Sequence, residues 1–169
     1  MPVTARREKL LDIRGLNVSF PTRRGVVRAV RDLDLYIERG ETLALVGESG
    51  CGKSVTAHSI NQLIPAPGRI DSGQILFEGR DLLTLSEKEI RGYRGEKISM
   101  IFQEPMTSLN PVFKIGQQIA DVLITHHRIS RKAAFQKAVE LLTLVRIPTP
   151  ERRAHAYPHQ LSEECASAL

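Results

Sequence analysis

Cysteine is scarce in this chain: Cys51 and Cys165 are the two among 169 residues. No C-x-x-C pair exists, which argues against a disulfide framework or a zinc ribbon. The five histidines show no ligand spacing. His126 and His127 are adjacent, and adjacent residues on a helix do not converge on one metal. Aromatic residues make up only 5% of the chain. The net charge is +5, but the arginines are scattered (Arg23, Arg24, Arg28, Arg31, Arg91, Arg94, Arg152, Arg153). Scattered arginines with few aromatics read as a solvated basic surface, and no nucleic-acid partner is expected. No apolar run approaches 18 residues, so no transmembrane helix is expected. Arg6, Arg7 and Lys9 have no apolar stretch behind them, which excludes a secretory signal there and leads to the expectation of a cytoplasmic location. With 41% hydrophobic and 25% charged residues, the composition is that of a globular protein.

What the chain does contain is Gly47-Glu48-Ser49-Gly50-Cys51-Gly52-Lys53-Ser54, a match to the phosphate-loop pattern G-x-x-x-x-G-K-[ST]. The apolar run Thr42-Leu43-Ala44-Leu45-Val46 before it reads as a buried strand. A helical run with Val55, Ala57, Ile60 and Ile64 follows it. Strand, glycine-rich turn and helix therefore come in the order that phosphate binding requires. Gly47, Gly50 and Gly52 give the backbone conformations closed to other residues, so that successive N–H groups can point at phosphate oxygens. Lys53 is expected to reach the β- and γ-phosphates of a nucleoside triphosphate, and the Ser54 hydroxyl to ligate Mg²⁺.

The remaining elements follow from periodicity. Leu10 to Phe20 and Val26 to Ile37 read as antiparallel strands around a turn at Pro21 and Gly25, the second alternating through Val30, Leu33, Leu35 and Ile37. Pro65 and Pro67 break the chain after the loop helix. Gln74 to Glu78 reads as a strand with a turn at Gly79. Ser86-Glu87-Lys88-Glu89 is a capping box for a short helix to about Arg94, with Leu85 and Ile90 as its hydrophobic staple. Lys97 to Phe102 reads as another buried strand. Ile115, Ile119, Val122 and Leu123 share one helical face. Ser130 caps a further helix carrying Phe135, Ala138, Val139, Leu142 and Val145, which Pro148 and Pro150 should stop.

Three runs in order carry a resemblance: Val46 to Ser54; Ile101-Phe102-Gln103-Glu104-Pro105-Met106-Thr107-Ser108-Leu109-Asn110-Pro111; and Tyr157-Pro158-His159-Gln160-Leu161-Ser162. Over residues 9–162 the chain resembles the ATP-binding subunit of an ABC importer, in the branch that takes up peptides or nickel. The resemblance implies an α/β phosphate-loop NTPase fold, N-terminal part only. It divides the chain into an antiparallel β subdomain with a partial core sheet (about 9–104), a helical subdomain (about 105–162) and an aberrant tail (163–169). It implies ATP and Mg²⁺ as cofactors, with the loop residues 47–54 binding the triphosphate. Gln103 resembles the glutamine that touches Mg²⁺ or the attacking water and senses the membrane subunit. Phe20 is either the aromatic that stacks on adenine or an ordinary core phenylalanine. The implied partners are membrane-spanning permease subunits, a second ATP-binding subunit in a homo- or heterodimer and, indirectly, a solute-binding protein. The implied location is the cytoplasmic face of the inner membrane, and the implied work is peptide import powered by ATP hydrolysis.

The sequence departs from that family where Leu-Ser-Gly-Gly would stand, having Leu161-Ser162-Glu163-Glu164. Two carboxylates roughly 5 Å from a phosphate would each cost on the order of 3 kcal/mol at an effective dielectric near 20. The acidic strand and switch histidine that hydrolysis needs are also missing. The chain is therefore expected to bind ATP weakly or not at all and to be inactive alone. Two readings stay open: a damaged ATPase, or a non-catalytic fragment that docks on a membrane subunit. One base inserted after a suitable Ser162 codon would read on as Ser-Gly-Gly-Met-Arg-Gln, so a frameshift is the expected cause.

Overall fold

The computed structural model describes residues 8–102 and 109–161. The chain forms two compact units, Met1–Ile98 and Ser99–Leu169.

The first unit is built on a four-stranded antiparallel sheet of order β2-β1-β3-β4. Its strands are β1 (Lys9–Thr22), β2 (Gly25–Glu38), β3 (Arg69–Phe77) and β4 (Arg80–Asp81). Helix α1 (Lys53–Ile60) lies between β2 and β3 in sequence, and α2 (Glu87–Arg91) follows a 3₁₀ turn at Leu82–Thr84. Leu11, Ile13, Leu16, Val18, Val30, Ile75, Phe77, Leu82, Leu85 and Ile90 form the core. The expected hairpin is present, as are the capping box and both staple residues. Ser86 Oγ accepts from Glu89 N, and Glu89 accepts in turn from Ser86 N.

The apolar pattern of β1 changes parity between Ile13 and Leu16, and the reason is a bulge. Gly15 has φ +53° and Asp32, across the pair, has φ +44°. The extra residue in each strand keeps Ile13, Leu16 and Val18 all inward. Polar side chains close the bulge. Asp34 Oδ1 accepts from Gly15 N at 2.7 Å. Asn17 Nδ2 donates to Gly15 O at 3.0 Å, and Asn17 Oδ1 accepts from Asp32 N at 3.1 Å.

Asp12 is 7% exposed on β1. It accepts from Arg14 Nη2 at 2.6 Å and pairs with Lys9 Nζ at 3.2 Å. Burial pushes its carboxyl up, but the hydrogen bonds and charges of Arg14 and Lys9 outweigh that and hold it below the usual carboxylate range. A lowered carboxylate contributes stability above its unfolded pKa and loses it as pH falls through the folded one. The urea midpoint should therefore drop with acidification below about pH 4. Asp12→Asn should flatten that slope without removing it, because Asp71 and Glu89 are lowered too. Parallel slopes for the parent and Asp12→Asn would contradict this.

Two expected strands do not form. Thr42–Val46 pairs with no strand among the described residues, and Leu43, Leu45 and Val46 are 43%, 45% and 86% exposed. In Lys97–Phe102, the Ile98 bridge to Arg94 is the one pairing, and Ile101 is 93% exposed. Both runs have the composition of parallel-sheet strands, which persist only between covered neighbours. Three boundaries also differ from expectation. The loop helix stops at Ile60, because Gln62 takes φ +50°. β3 starts at Arg69, through polar residues that pair with β1. Pro150 begins a helix rather than ending one, since its missing N–H costs nothing at a first helical position.

The second unit holds α3 (Ile115–His127), α4 (Arg131–Leu144) and α5 (Pro150–Ala154). They close on a core of Ile115, Leu142, Ile147, Ala154 and Leu161. Ser130 caps α4 through Ala133 N, as the sequence indicated. Gly116 rather than Val122 completes the inner face of α3. A Cβ at Gly116 would lie 2.8 Å from Ala154 O, while Val122 is 54% exposed. No helix among the described residues is long and apolar enough to cross a membrane.

Candidate functional site: the loop before helix α1

Lys53 donates from Nζ to the carbonyl oxygens of Gly47 and Glu48, both at 2.7 Å, and lies 3.5 Å from Cys51 Sγ. The ammonium thus gathers the start of the loop around itself. Gly50 has φ +81° and Gly52 φ +96°, conformations that a Cβ disfavours. Space is also restricted. A Cβ on Gly47 would come within 2.7 Å of Cys51 Sγ, and one on Gly52 would run into the carbonyl oxygen of Ala29 in β2.

Gly52 is the N-cap of α1 and supplies no side-chain cap. Gly52 O accepts from Thr56 N at 2.9 Å and from Thr56 Oγ1 at 3.0 Å, which fastens the first turn. The N–H groups of Gly50, Gly52, Lys53, Ser54 and Val55 hydrogen-bond to nothing among the described residues. Donors with no described partner, the positive end of a helix and an ammonium are the groups that suit an anion such as phosphate. Ser54 is exposed and its hydroxyl makes no described hydrogen bond, so it suits a metal ligand. Gln103, the other residue expected at the metal and the catalytic centre, lies outside the described residues.

A cavity of about 220 Å³ lies between β2 and the loop, with Val30, Leu33, Val46, Gly52 and Lys53 in its walls. A larger one, about 700 Å³, is lined by Asp12, Arg14, Asp34, Tyr36 and Glu41. It contains no loop residue, and the Asp12 and Arg14 charges in its wall are paired to each other. The loop chemistry therefore belongs with the smaller cavity. Phe20 packs against the core. Its ring lies over Gly68, where a Cβ would come within 2.8 Å of Cδ1. Of the two readings of Phe20, that geometry favours the packed one.

Thr56 was not singled out by the sequence, although a threonine four residues after the last loop glycine is the available signal for its bond to Gly52 O. Arg94, which holds the far end of α1, gave no signal among the scattered arginines.

The loop, its three glycines and its following helix have the form of a phosphate-binding site on an α/β fold. The chain belongs to the ABC transporter family, whose pattern matches residues 30–164. It is 54% identical over 155 residues to the oligopeptide transport ATP-binding protein of Bacillus subtilis, covering 91% of this chain and 43% of that protein. It is 50% identical over 156 residues to the dipeptide transport ATP-binding protein of the same organism, covering 92% of this chain and 47% of that protein. The chain thus spans less than half the length of these curated relatives. The fold is similar to the ATP-binding cassette MJ0796, solved as a dimer with ADP and phosphate, with a TM-score of 0.79 at 24% identity. That match covers 94% of this chain and 68% of the cassette.

Proposed function

We propose that this chain is the phosphate-binding portion of an ATP-binding subunit serving a peptide importer. The observation that carries the reading is the set of N–H groups of Gly50, Gly52, Lys53, Ser54 and Val55, which have no partner among the described residues, together with a Lys53 ammonium held at the start of the same loop. These donors would hold the β- and γ-phosphates of ATP, with Lys53 exchanging its two carbonyl acceptors for phosphate oxygens. A magnesium ion would be held by the Ser54 hydroxyl and would neutralise phosphate charge when bound; the family resemblance at Gln103 supports that side chain as a further ligand. Glu163 and Glu164 stand where the resembled family has two glycines, so phosphate binding, and not turnover, is the activity proposed for these residues. The similarity to peptide-import proteins supports peptides as the solute of the whole assembly, permease subunits and a second ATP-binding subunit as partners, and the cytoplasmic face of the membrane as the location.

A second reading, docking on a membrane subunit without driving transport, draws on the second unit. There Val112, Phe113, Val122 and Leu144 are exposed apolar side chains. Co-purification with a membrane subunit by a Lys53→Ala chain would favour it.

The test of nucleotide binding is titration with a fluorescent ATP analogue. Lys53→Ala removes a charge from the phosphates and should weaken binding about a hundredfold, the equivalent of two charge-assisted hydrogen bonds. Equal affinity of the parent chain and Lys53→Ala would refute the proposal.

A further inference from the structure

We propose that Arg94 is a positioning residue for the phosphate-binding helix, fixing the C-terminal end of α1 and thereby the aim of the loop at its other end. The inference rests on the nucleotide reading of the loop.

The end of α1 is an unusual one. Leu63 N donates to His58 O at 2.8 Å and Gln62 N to Ser59 O at 3.0 Å, the pattern in which the chain leaves a helix through a left-handed residue. That residue is normally glycine. Here it is Gln62, at φ +50°, so the surroundings must hold what the backbone disfavours. Arg94 is the group that does so. Its Nε donates to Asn61 O at 2.8 Å and its Nη2 to Gln62 O at 3.1 Å. Its Nη1 donates to Glu87 Oε1 at 2.8 Å. The side chain of Gln62 adds a bond to Leu82 O, and Leu82 is fully buried in the core.

One guanidinium thus takes two carbonyls at the negative end of α1 and one carboxylate at the start of α2. Its side chain is only 22% exposed, which shields the two carbonyl bonds from water. A planar fork can meet three acceptors at fixed angles, and a lysine ammonium on a flexible stem cannot do the same. The positive charge also suits the helix end it covers.

The link to the loop is leverage. A helix of eight residues is about 12 Å long. Tilting it by about 5° at one end shifts the other by about 1 Å, enough to carry a hydrogen bond beyond its normal range. Gly52, at the N-terminal end of α1, has little space beside Ala29 O, so a tilt changes how the loop sits against β2.

The experiment compares Arg94→Ala, Arg94→Lys and Arg80→Ala with the parent chain. Arg80 pairs with Glu89 on the same helix α2 at 2.8 Å but does not touch α1, so it controls for the loss of one α2 ion pair. Affinity is read with the fluorescent ATP analogue, and backbone positioning by hydrogen exchange. Arg94→Ala should bind about tenfold more weakly. Amides from Thr56 to Leu63 should exchange faster while those of β1 and β3 keep their rates. Arg94→Lys should show most of the same loss despite its charge, and Arg80→Ala should stay within twofold of the parent. The proposal is overturned if Arg94→Ala binds within twofold of the parent, or if Arg80→Ala weakens binding as much. If Arg94→Ala does not fold, Arg94→Lys decides by the same two readouts. If the parent binds no better than Lys53→Ala, the nucleotide reading has failed. Exchange in α1 then decides positioning by itself, and unchanged rates in Arg94→Lys overturn it.

Discussion

Replacing Gly52 with alanine is expected to weaken nucleotide binding about a hundredfold while Lys53 and every other loop side chain remain in place. Two costs combine. At φ +96° an alanine carries a penalty of about 1–2 kcal/mol. The new methyl group also meets the carbonyl oxygen of Ala29, a backbone atom of β2 whose neighbours Arg28 and Val30 are paired with β1. A strand carbonyl has no rotamer to change, so the loop must move instead, at a further cost of about 1–3 kcal/mol. The movement withdraws the N–H groups of Gly52 to Ser54 from the positions they share. At about 1.4 kcal/mol per tenfold, a hundredfold loss corresponds to part of that sum. Gly79→Ala separates strain from collision, because Gly79 has φ +79° and nothing within 4 Å of an added Cβ. It should lower stability by about 1 kcal/mol and leave affinity unchanged. Titration of both variants with the fluorescent analogue checks the pair, and wild-type affinity in Gly52→Ala would show that the loop does not depend on this contact.

Gly73→Ala is expected to unfold the first unit or to lower its stability by on the order of 4 kcal/mol. Gly73 sits in β3 at φ +112°, opposite the bulge in β1. A Cβ there would lie 2.7 Å from both Gly15 O and Leu16 Cα, and 2.9 Å from Arg14 O. All three are backbone atoms of the central strand, so relief requires β1 and β3 to separate where Leu16 and Ile75 are fully buried. Urea denaturation followed by far-ultraviolet circular dichroism measures the effect. A midpoint within experimental error of the parent would contradict the register between β1 and β3.

Features set by neighbouring residues were legible in the sequence. The turn between β1 and β2, the capping box of Ser86 and Glu89 and the cap at Ser130 each use groups within a few residues of one another. The phosphate-loop pattern is equally local, and the helix begins where the motif requires it. What could not be read depends on partners distant in the chain. Thr42–Val46 has strand composition but lies exposed, because a parallel strand takes its hydrogen bonds from other strands. Gly15 and Gly73 are 58 positions apart and meet only across a bulge. Gln62 gave no sign of ending α1, since its left-handed conformation is fixed by Arg94, 32 residues further on. Phe20 shows the same limit from the other side. An aromatic near a sheet edge suits either adenine or a core, and its packing beside Gly68 depends on a residue 48 positions away.

The central claim is that the N–H donors of Gly50, Gly52, Lys53, Ser54 and Val55 bind the phosphates of ATP. The most direct measurement is residue-resolved hydrogen exchange of the intact chain with ATP and Mg²⁺, with adenosine as the comparison. The account predicts that ATP slows exchange at Gly50, Gly52, Lys53, Ser54 and Val55, that adenosine does not, and that Lys53→Ala abolishes the protection. Unchanged exchange at these five amides under saturating ATP, or equal protection by adenosine, would contradict it.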